Sequence, residues 1–433
     1  MPSFFIDMSP PQLLELALQS GAEAAEVYYS HSHSAPVYFE ANQLKQLEFV
    51  DSTGIALRLW RGGQPGLVVA YGAYSPQDLV EQALALSNLQ EPEEIYLNSG
   101  YNQTYYPTWG EPIGTGPLID QGRASIARLR ELYPDVICSG QWECSVTETK
   151  IANTKGLEVG FTETSIDAFL SGELVRGDDF LNVYVNRSGI KFFEFEDLVG
   201  RMGQYLGWAE RNVPAPQGSL PVVFTAKCAD LLWSVVSLAM SGKQLEQKST
   251  PWLEKLGDLV VSESITLRQA PQFDLFYLPF DDEGTPTQPF TWLDRGVLKD
   301  FYADRKLAAQ LNLTPRGNGY RGLGSPPTPG VFNAILEPGD KSLAELIGSI
   351  QRGILVDQVL GGGAGISGDF SVNIDLGYLI ENGQIVGRVK DTMVAGNVYT
   401  ALQNLVLGND REWQGTLYTP SVLISELGIS SRV

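Results

Sequence analysis

Histidine is almost missing from this chain of 433 residues. The two that occur, His31 and His33, lie near the start, and every position from 34 to 433 holds another residue. Histidine is the commonest general base and metal ligand near neutral pH. Its absence therefore excludes a Ser-His-Asp triad, a Cys-His pair and a histidine zinc site from most of the chain.

The two histidines are themselves poor evidence for a metal site. They are two residues apart, so on a strand they would share one face, and H-x-H can chelate a cation. Two ligands are too few for a zinc site, and the neighbouring serines indicate the end of a hairpin. We therefore predict a solvated loop at these positions.

Cysteines and long apolar runs are also scarce. Cys138, Cys144 and Cys228 form an odd set without a C-x-x-C pair, which favours buried thiols in a reducing compartment over disulfides or zinc ligands. No run approaches 18 apolar residues, and the first eight residues contain Asp7 but no basic residue. We predict neither a transmembrane helix nor a signal peptide, and a cytoplasmic location.

Basic residues are outnumbered, with 30 Lys and Arg against 51 Asp and Glu and a net charge of −21. A protein that binds nucleic acid needs a basic face to displace counterions from phosphates. An anionic membrane surface makes the same demand. The charge therefore argues against direct contact with nucleic acid or membrane.

The residues that are present predict a folded chain in two parts. Hydrophobic residues make up 43% of the sequence, which is enough for sizeable cores. Short strand-like runs and helical patterns alternate up to a linker at Pro214 and Pro216, the best candidate for a boundary. We predict domains at 1–213 and 214–433, with an unusually apolar helix at 228–240 and a final long helix at 397–405.

Three carboxylates precede a glycine turn in Asp281-Asp282-Glu283-Gly284-Thr285-Pro286. Clustered carboxylates can bind a hard cation or act as an acid with a raised pKa. Asp and Glu before glycine also form solvated turns whose side chains accept hydrogen bonds from backbone amides. The sequence favours the turn and leaves the chemical role open.

Two glycine-rich segments are further candidates for ligand contact. The run from Gly361 to Ser371 includes Gly363 and Ser367 and would let the backbone approach a ligand closely. It lacks G-x-x-x-x-G-K-[ST], which disfavours a phosphate loop. In the turn 317–322, Arg321 could clamp a carboxylate, although an incidental surface arginine is the favoured interpretation.

Several separated segments of the second half occur together in one order. They are PVVFT (221–225) followed by the apolar helix, FDDEGTPTQ (280–288), GVLKDF (296–301), GNGYR (317–321), the glycine run, GYLIENGQIVGRVKDTMVAGNVYTALQNL (377–405) and GND (408–410). As a set they resemble the TldD/TldE family, whose TldE branch is also called PmbA. The resemblance is strongest across 220–428 and looser in the first half.

The resemblance also identifies what this chain lacks. TldD-like members carry H-E-x-x-x-H on the helix after the first strand of the second half, and a late cysteine completes their zinc site. The corresponding positions here are Trp233, Ser234 and Leu238, and no cysteine follows Cys228. Two imidazoles, a thiolate and a general base are what such a site needs. The departure matches the TldE/PmbA branch.

The resemblance implies an α+β fold: an N-terminal α/β domain and a C-terminal domain with a large, curved, mainly antiparallel sheet. It implies a dimer with a TldD-like protease subunit or with itself, a cleft for an extended peptide, and zinc only in the partner. Within this reading we assign peptide contact to Asp281, Asp282, Glu283, Gly284, Arg321, Gly363 and Ser367. The alternatives are a homodimeric peptide-binding module and an independent hydrolase that uses the carboxylates of 281–283.

Overall fold

The computed structural model describes residues 8–100, 107–194 and 196–431. Its helices are α1 (Pro10–Gln19), α2 (Pro76–Ser87), α3 (Thr115–Leu132), α4 (Glu196–Trp208), α5 (Asp230–Ala239), α6 (Gly242–Glu246), α7 (Arg305–Leu311), α8 (Leu343–Gly348) and α9 (Val398–Ala401). Within the described segments, no helix combines the length and apolar character needed to cross a bilayer.

The strands of the first half are β1 (Ala24–Ser34), β2 (Val37–Glu40), β3 (Gln43–Leu47), β4 (Val50–Arg61), β5 (Gln64–Tyr71), β6 (Thr108–Trp109), β7 (Ile137–Asn153), β8 (Glu158–Arg176) and β9 (Asp179–Gly189). They form one sheet in the order β3-β2-β7-β1-β4-β5, which continues from β7 through β8 to β9. Its pairings are antiparallel except for the short β6, which runs parallel to β8.

The strands of the second half are β10 (Gly218–Phe224), β11 (Leu267–Gln269), β12 (Gln272–Phe273), β13 (Phe276–Tyr277), β14 (Phe290–Asp294), β15 (Val297–Leu298), β16 (Gly319–Tyr320), β17 (Thr328–Pro329), β18 (Ala334–Leu336), β19 (Arg352–Leu360), β20 (Asp369–Glu381), β21 (Gln384–Val389), β22 (Thr392–Asn397), β23 (Leu405–Leu407), β24 (Glu412–Gln414), β25 (Leu417–Thr419) and β26 (Val422–Ser431). A seven-stranded sheet has the order β10-β19-β20-β22-β26-β23, with β21 beside β20, and a six-stranded sheet has the order β15-β14-β11-β18-β25-β24.

The apolar helix α5 lies in the largest core, which both sheets of the second half share. Leu232 and Val236 of α5 are fully buried together with Val222 of β10, Trp292 of β14 and Ile424 of β26. A helix that is apolar on most of its surface needs partners on several sides. The sequence DLLWSVVSLA is therefore a core element, as its composition predicts.

A second core joins the two halves. It contains Trp142 of β7 and Leu198 of α4 together with Val223 of β10, Leu355 of β19 and Tyr378 of β20. These residues lie on both sides of the predicted boundary at 213 and 214. The boundary remains a prediction, but the two parts do not have wholly separate cores.

The fold is α+β with large antiparallel sheets, which confirms the predicted fold class. Two local predictions were wrong. The final helix was expected at 397–405, but α9 is one turn long because 405–407 pairs with β26. His31 and His33 lie in β1 rather than in a loop.

Close contact between β5 and α2 depends on Gly66. A Cβ at this position would lie 1.9 Å from the carbonyl oxygen of Ala83 in α2. We expect Gly66→Ala to lower the free energy of unfolding by about 1–3 kcal/mol, or more, because neither backbone can give way. Gly116→Ala in α3, where nothing lies within 4 Å, is the matched control. Thermal unfolding checks both, and equal melting temperatures would contradict the prediction.

Candidate functional site

The three residues that the family resemblance places at the zinc-motif positions lie on α5 and do not provide metal ligands. Trp233 is 1% exposed and packs in the core. Ser234 is exposed, and its hydroxyl donates to the carbonyl of Leu231 at 3.3 Å. Leu238 is half-buried one turn further on. An indole N–H is only a donor and an isobutyl group has no lone pair, so this donor set does not fit zinc.

Beside α5, a cleft of about 680 Å³ opens between the two halves of the chain. We call it the central cleft. Leu238 and Ser241 line it where α5 ends, and Trp60 of β4 faces it from the first half. The cleft wall also contains Arg58, Glu93, Lys243, Glu246, Glu283, Asp304, Lys306 and Leu307. Its volume is in the range of ligand sites.

The carboxylate of Asp281 organises the acidic turn beside this cleft. Its Oδ1 accepts the backbone N–H of Glu283 at 3.0 Å and of Thr285 at 2.8 Å, and Oδ2 accepts that of Gly319 at 2.8 Å. Gly284 has φ +67°, which a residue with a side chain adopts at a cost. Asp281 is 2% exposed, and burial raises its pKa to about 7. Both oxygens are therefore used by the turn.

Glu283 is the member of the acidic turn that reaches the cleft. Its Oε2 accepts the backbone N–H of Arg305, the first residue of α7, at 2.8 Å. Asp304 caps the same helix through the N–H of Leu307 at 2.8 Å. Burial, and then the charge of Asp281, raises the pKa of Glu283 well above its ordinary value. Raised carboxyl pKa values in a cleft are typical of functional sites, though structural turns share them.

Arg321 connects the acidic turn to the first half of the chain. Its Nη1 donates to Oε1 of Glu26 in β1 at 2.9 Å, and its Nη2 donates to the carbonyl of Asp282 at 2.8 Å. Its backbone N–H also donates to Oδ2 of Asp282 at 2.9 Å. The side chain is 1% exposed, so the guanidinium is already engaged within the chain.

A second arginine completes this buried ion cluster. Arg58 of β4 lies 2.8 Å from the same Glu26 oxygen. We call Glu26, Arg58 and Arg321 the Glu26 cluster. Burial alone would raise the pKa of Glu26, but Arg321 and Arg58 outweigh it and hold it below its ordinary value. The carboxylate is therefore ionised at neutral pH, and it joins the two halves beside the cleft.

The glycine run lies apart from the central cleft. Gly363 and Ser367 are exposed in the connection between β19 and β20. The carbonyl of Ser367 accepts from Asn397 Nδ2 at 2.9 Å, and its hydroxyl accepts from the N–H of Asp369 at 3.4 Å. Neither residue belongs to the part of the cleft wall that the structure describes. The chain therefore does not bring them together with Glu283.

Sequence reasoning missed the cleft residues of the first half. Arg58 stacks over the ring of Trp60 with 4.5 Å to its centroid. Trp60 Nε1 donates to Oε1 of Glu93 at 3.2 Å, and Lys306 lies 2.6 Å from the other oxygen. The alternation in β4 could have placed Arg58 and Trp60 on one face. Their partners lie far away in sequence, and no local pattern indicates them.

Two models of known protein families match this chain, one in each half. A family model described as the PmbA/TldA metallopeptidase C-terminal domain matches residues 217–431, and one described as PmbA/TldA metallopeptidase domain 1 matches residues 25–87. The chain belongs to the PmbA/TldD family. The predicted family is thus confirmed, and the chain is related to metalloproteases.

Individual relatives cover nearly the whole chain. A metalloprotease PmbA homologue from Haemophilus influenzae is 28% identical over 440 residues, covering 97% of this chain and 94% of that protein. A metalloprotease TldD homologue from Buchnera aphidicola is 24% identical over 417 residues, covering 88% and 84%. The crystal structure of TldE from Thermococcus kodakarensis matches with a TM-score of 0.88 at 24% identity and covers 97% and 99%, which shows the shared fold.

Removing one arginine of the Glu26 cluster should be costly. We expect Arg321→Met to lower the free energy of unfolding by about 3 kcal/mol, because losing a partner of a buried ion pair leaves a poorly compensated charge. Arg295 pairs with Glu263 at the surface, with 75% and 67% of the two side chains exposed. Arg295→Met should therefore cost under about 1 kcal/mol. Denaturant titrations of both variants test this, and equal losses would refute it.

The raised pKa of Glu283 predicts a pH dependence. A carboxyl whose folded pKa exceeds its unfolded value stabilises the fold fully below the unfolded value, and this contribution is lost as pH rises through the folded pKa. Glu283→Gln removes the ionisation but keeps an acceptor for the N–H of Arg305. We expect it to raise the melting temperature relative to the parent at pH 8, with the difference shrinking toward pH 4. Glu131→Gln, at an exposed position, should show no such trend.

Proposed function

We propose that this chain is a TldE/PmbA-like subunit of a TldD/TldE-type metalloprotease, without a zinc site of its own. In this proposal it acts in the cytoplasm, where its three buried cysteines stay reduced. It helps to form the chamber in which a TldD-like subunit cleaves or matures unfolded peptides. The observation that carries the proposal is α5, where an indole, a hydroxymethyl and an isobutyl group replace two imidazoles and a carboxylate.

Trp233 has a structural role at the position where TldD-like chains carry the first zinc-binding histidine. The indole is 1% exposed among apolar residues of both sheets, so it stabilises the core. Zinc needs nitrogen, sulfur or oxygen ligands that converge on one point. Among the described residues, no group of three or more His, Cys, Asp and Glu side chains is arranged in that way. Catalysis by the family's chemistry would then require a partner's zinc.

The central cleft supports a role in holding a peptide. Leu238, which corresponds to the second histidine of TldD-like chains, lines it together with apolar groups such as Trp60 and Leu307. Extended peptides are bound through main-chain hydrogen bonds to sheet edges and through pockets for alternate side chains. The cleft lies between both halves, so residues of both halves would contact a bound peptide.

Two alternatives remain from the sequence. One is an independent hydrolase that uses Asp281, Asp282 and Glu283, and the raised pKa of Glu283 at the cleft favours it. Against it, both oxygens of Asp281 accept backbone N–H groups, which is the arrangement of a structural turn. The other is a homodimeric module that binds peptide without any protease partner.

Reconstitution separates these possibilities. This chain, a TldD-like chain and an equimolar mixture should be incubated with an unfolded peptide after size-exclusion chromatography. We expect cleavage by the mixture, co-elution of the two chains, and loss of activity with EDTA. The matched control is a TldD-like chain whose motif Glu is replaced by Gln, which should co-elute but not cleave.

Three outcomes would overturn the proposal. Cleavage by the isolated chain, abolished by Asp282→Asn or Glu283→Gln, would favour the independent hydrolase. Stable self-dimers that bind peptide and ignore the TldD-like chain would favour the binding module. Equal activity of the TldD-like chain with and without this subunit would leave the proposed partnership without a function.

A further inference from the structure

The only two histidines of the chain project from the same face of the first-half sheet. His31 and His33 alternate along β1, so both side chains lie on one face. Their ring centroids are 6.1 Å apart. On this face, Val27 is buried in the core under α1 and α2, and Tyr29 packs against the edge of that core. Beyond it the face is open: the side chain of His31 is 33% exposed, and His33 is exposed.

Strand pairing brings two carboxylates to the same place. Asp51 of β4 lies directly opposite His33, and Glu148 of β7 lies directly opposite His31. Residues opposite one another in an antiparallel pair have Cβ atoms about 4.5–5.5 Å apart and share a face. Asp51 Oδ1 already lies 3.0 Å from His31 Nε2. The register thus supplies the third ligand that H-x-H lacks in sequence.

Two imidazoles and one carboxylate form a recognised ligand set for a borderline divalent cation. Zinc sites with three protein ligands and a water use His and carboxylate donors together. Imidazole favours zinc, copper and nickel over the harder cations magnesium and calcium. Glu148 is engaged by Lys150 at 2.9 Å, so it is better suited to a supporting role than to direct ligation.

We propose that His31, His33 and Asp51 form a surface site for a divalent cation of the zinc, nickel and copper group. Among the described residues, no group of three or more His, Cys, Asp and Glu side chains could hold a metal ion as the side chains stand, so metal binding here requires side-chain rotation. His33 and Asp51 are exposed, and exposed side chains change rotamer within nanoseconds. The site lies on the first-half sheet and is separate from α5.

Zinc titration of the full chain, purified without a polyhistidine tag, tests this site. We expect one equivalent of zinc to bind and to be removed by EDTA. His33→Ala should lower the association constant at least about tenfold, since even loss of an outer-shell partner costs 10- to 100-fold. Asp51→Asn should also weaken binding. Asp135→Asn, an exposed carboxylate outside the cluster, should leave the isotherm unchanged.

Two controls show whether a variant loses zinc binding because it unfolds and whether zinc binds at the sheet or at α5. The metal-free variants should melt at the temperature of the parent, because His33 and Asp51 are exposed, and zinc should raise the melting temperature of the parent more than that of His33→Ala. Ser234→Ala should bind zinc like the parent, which distinguishes the sheet site from α5. Absence of zinc uptake by the parent, or equal association constants for the parent and His33→Ala, would overturn the proposal.

Discussion

One buried carboxylate between two arginines joins the halves of this molecule beside the central cleft. Glu26 belongs to the first sheet and Arg58 to its neighbouring strand. Arg321 belongs to the turn 317–322 of the second half, whose backbone donates hydrogen bonds to the acidic turn. Burying these charges is expensive, so the arrangement is stable only while all three are in place. The central cleft lies directly beside this joint, and its shape therefore depends on the cluster.

The cost of burying a polar group without a partner also explains why one substitution would not create a zinc site on α5. At position 233 a histidine would replace an indole that fills the core, leaving space and a buried imidazole without a defined partner. Leu238 faces the cleft, but a histidine there would have no second ligand from Trp233. Trp233 packs in the core, and the same side-chain volume cannot both fill the core and hold a metal.

The sequence was most informative where the signal is local. The apolar segment at 228–240 predicts α5. The cleft could not be predicted in this way, because Arg321 and Glu26 are 295 residues apart. The helix expected at 397–405 failed for a related reason, since pairing with β26 outweighs local helix propensity.

Electrostatics suggest how the cleft would select an occupant. The cations that line it each have a carboxylate within 3 Å: Arg58 has Glu26, Lys306 has Glu93, and Lys243 has Glu246. Burial raises the pKa of Glu283, so its ionisation is less favourable than that of an exposed carboxyl. A negatively charged side chain on a peptide would have to displace one of these pairs to gain a cation. If the cleft holds a peptide as proposed, binding of acidic side chains would therefore depend on shape, apolar contact and main-chain hydrogen bonds rather than on new ion pairs, which favours tolerance of many sequences over selection of one.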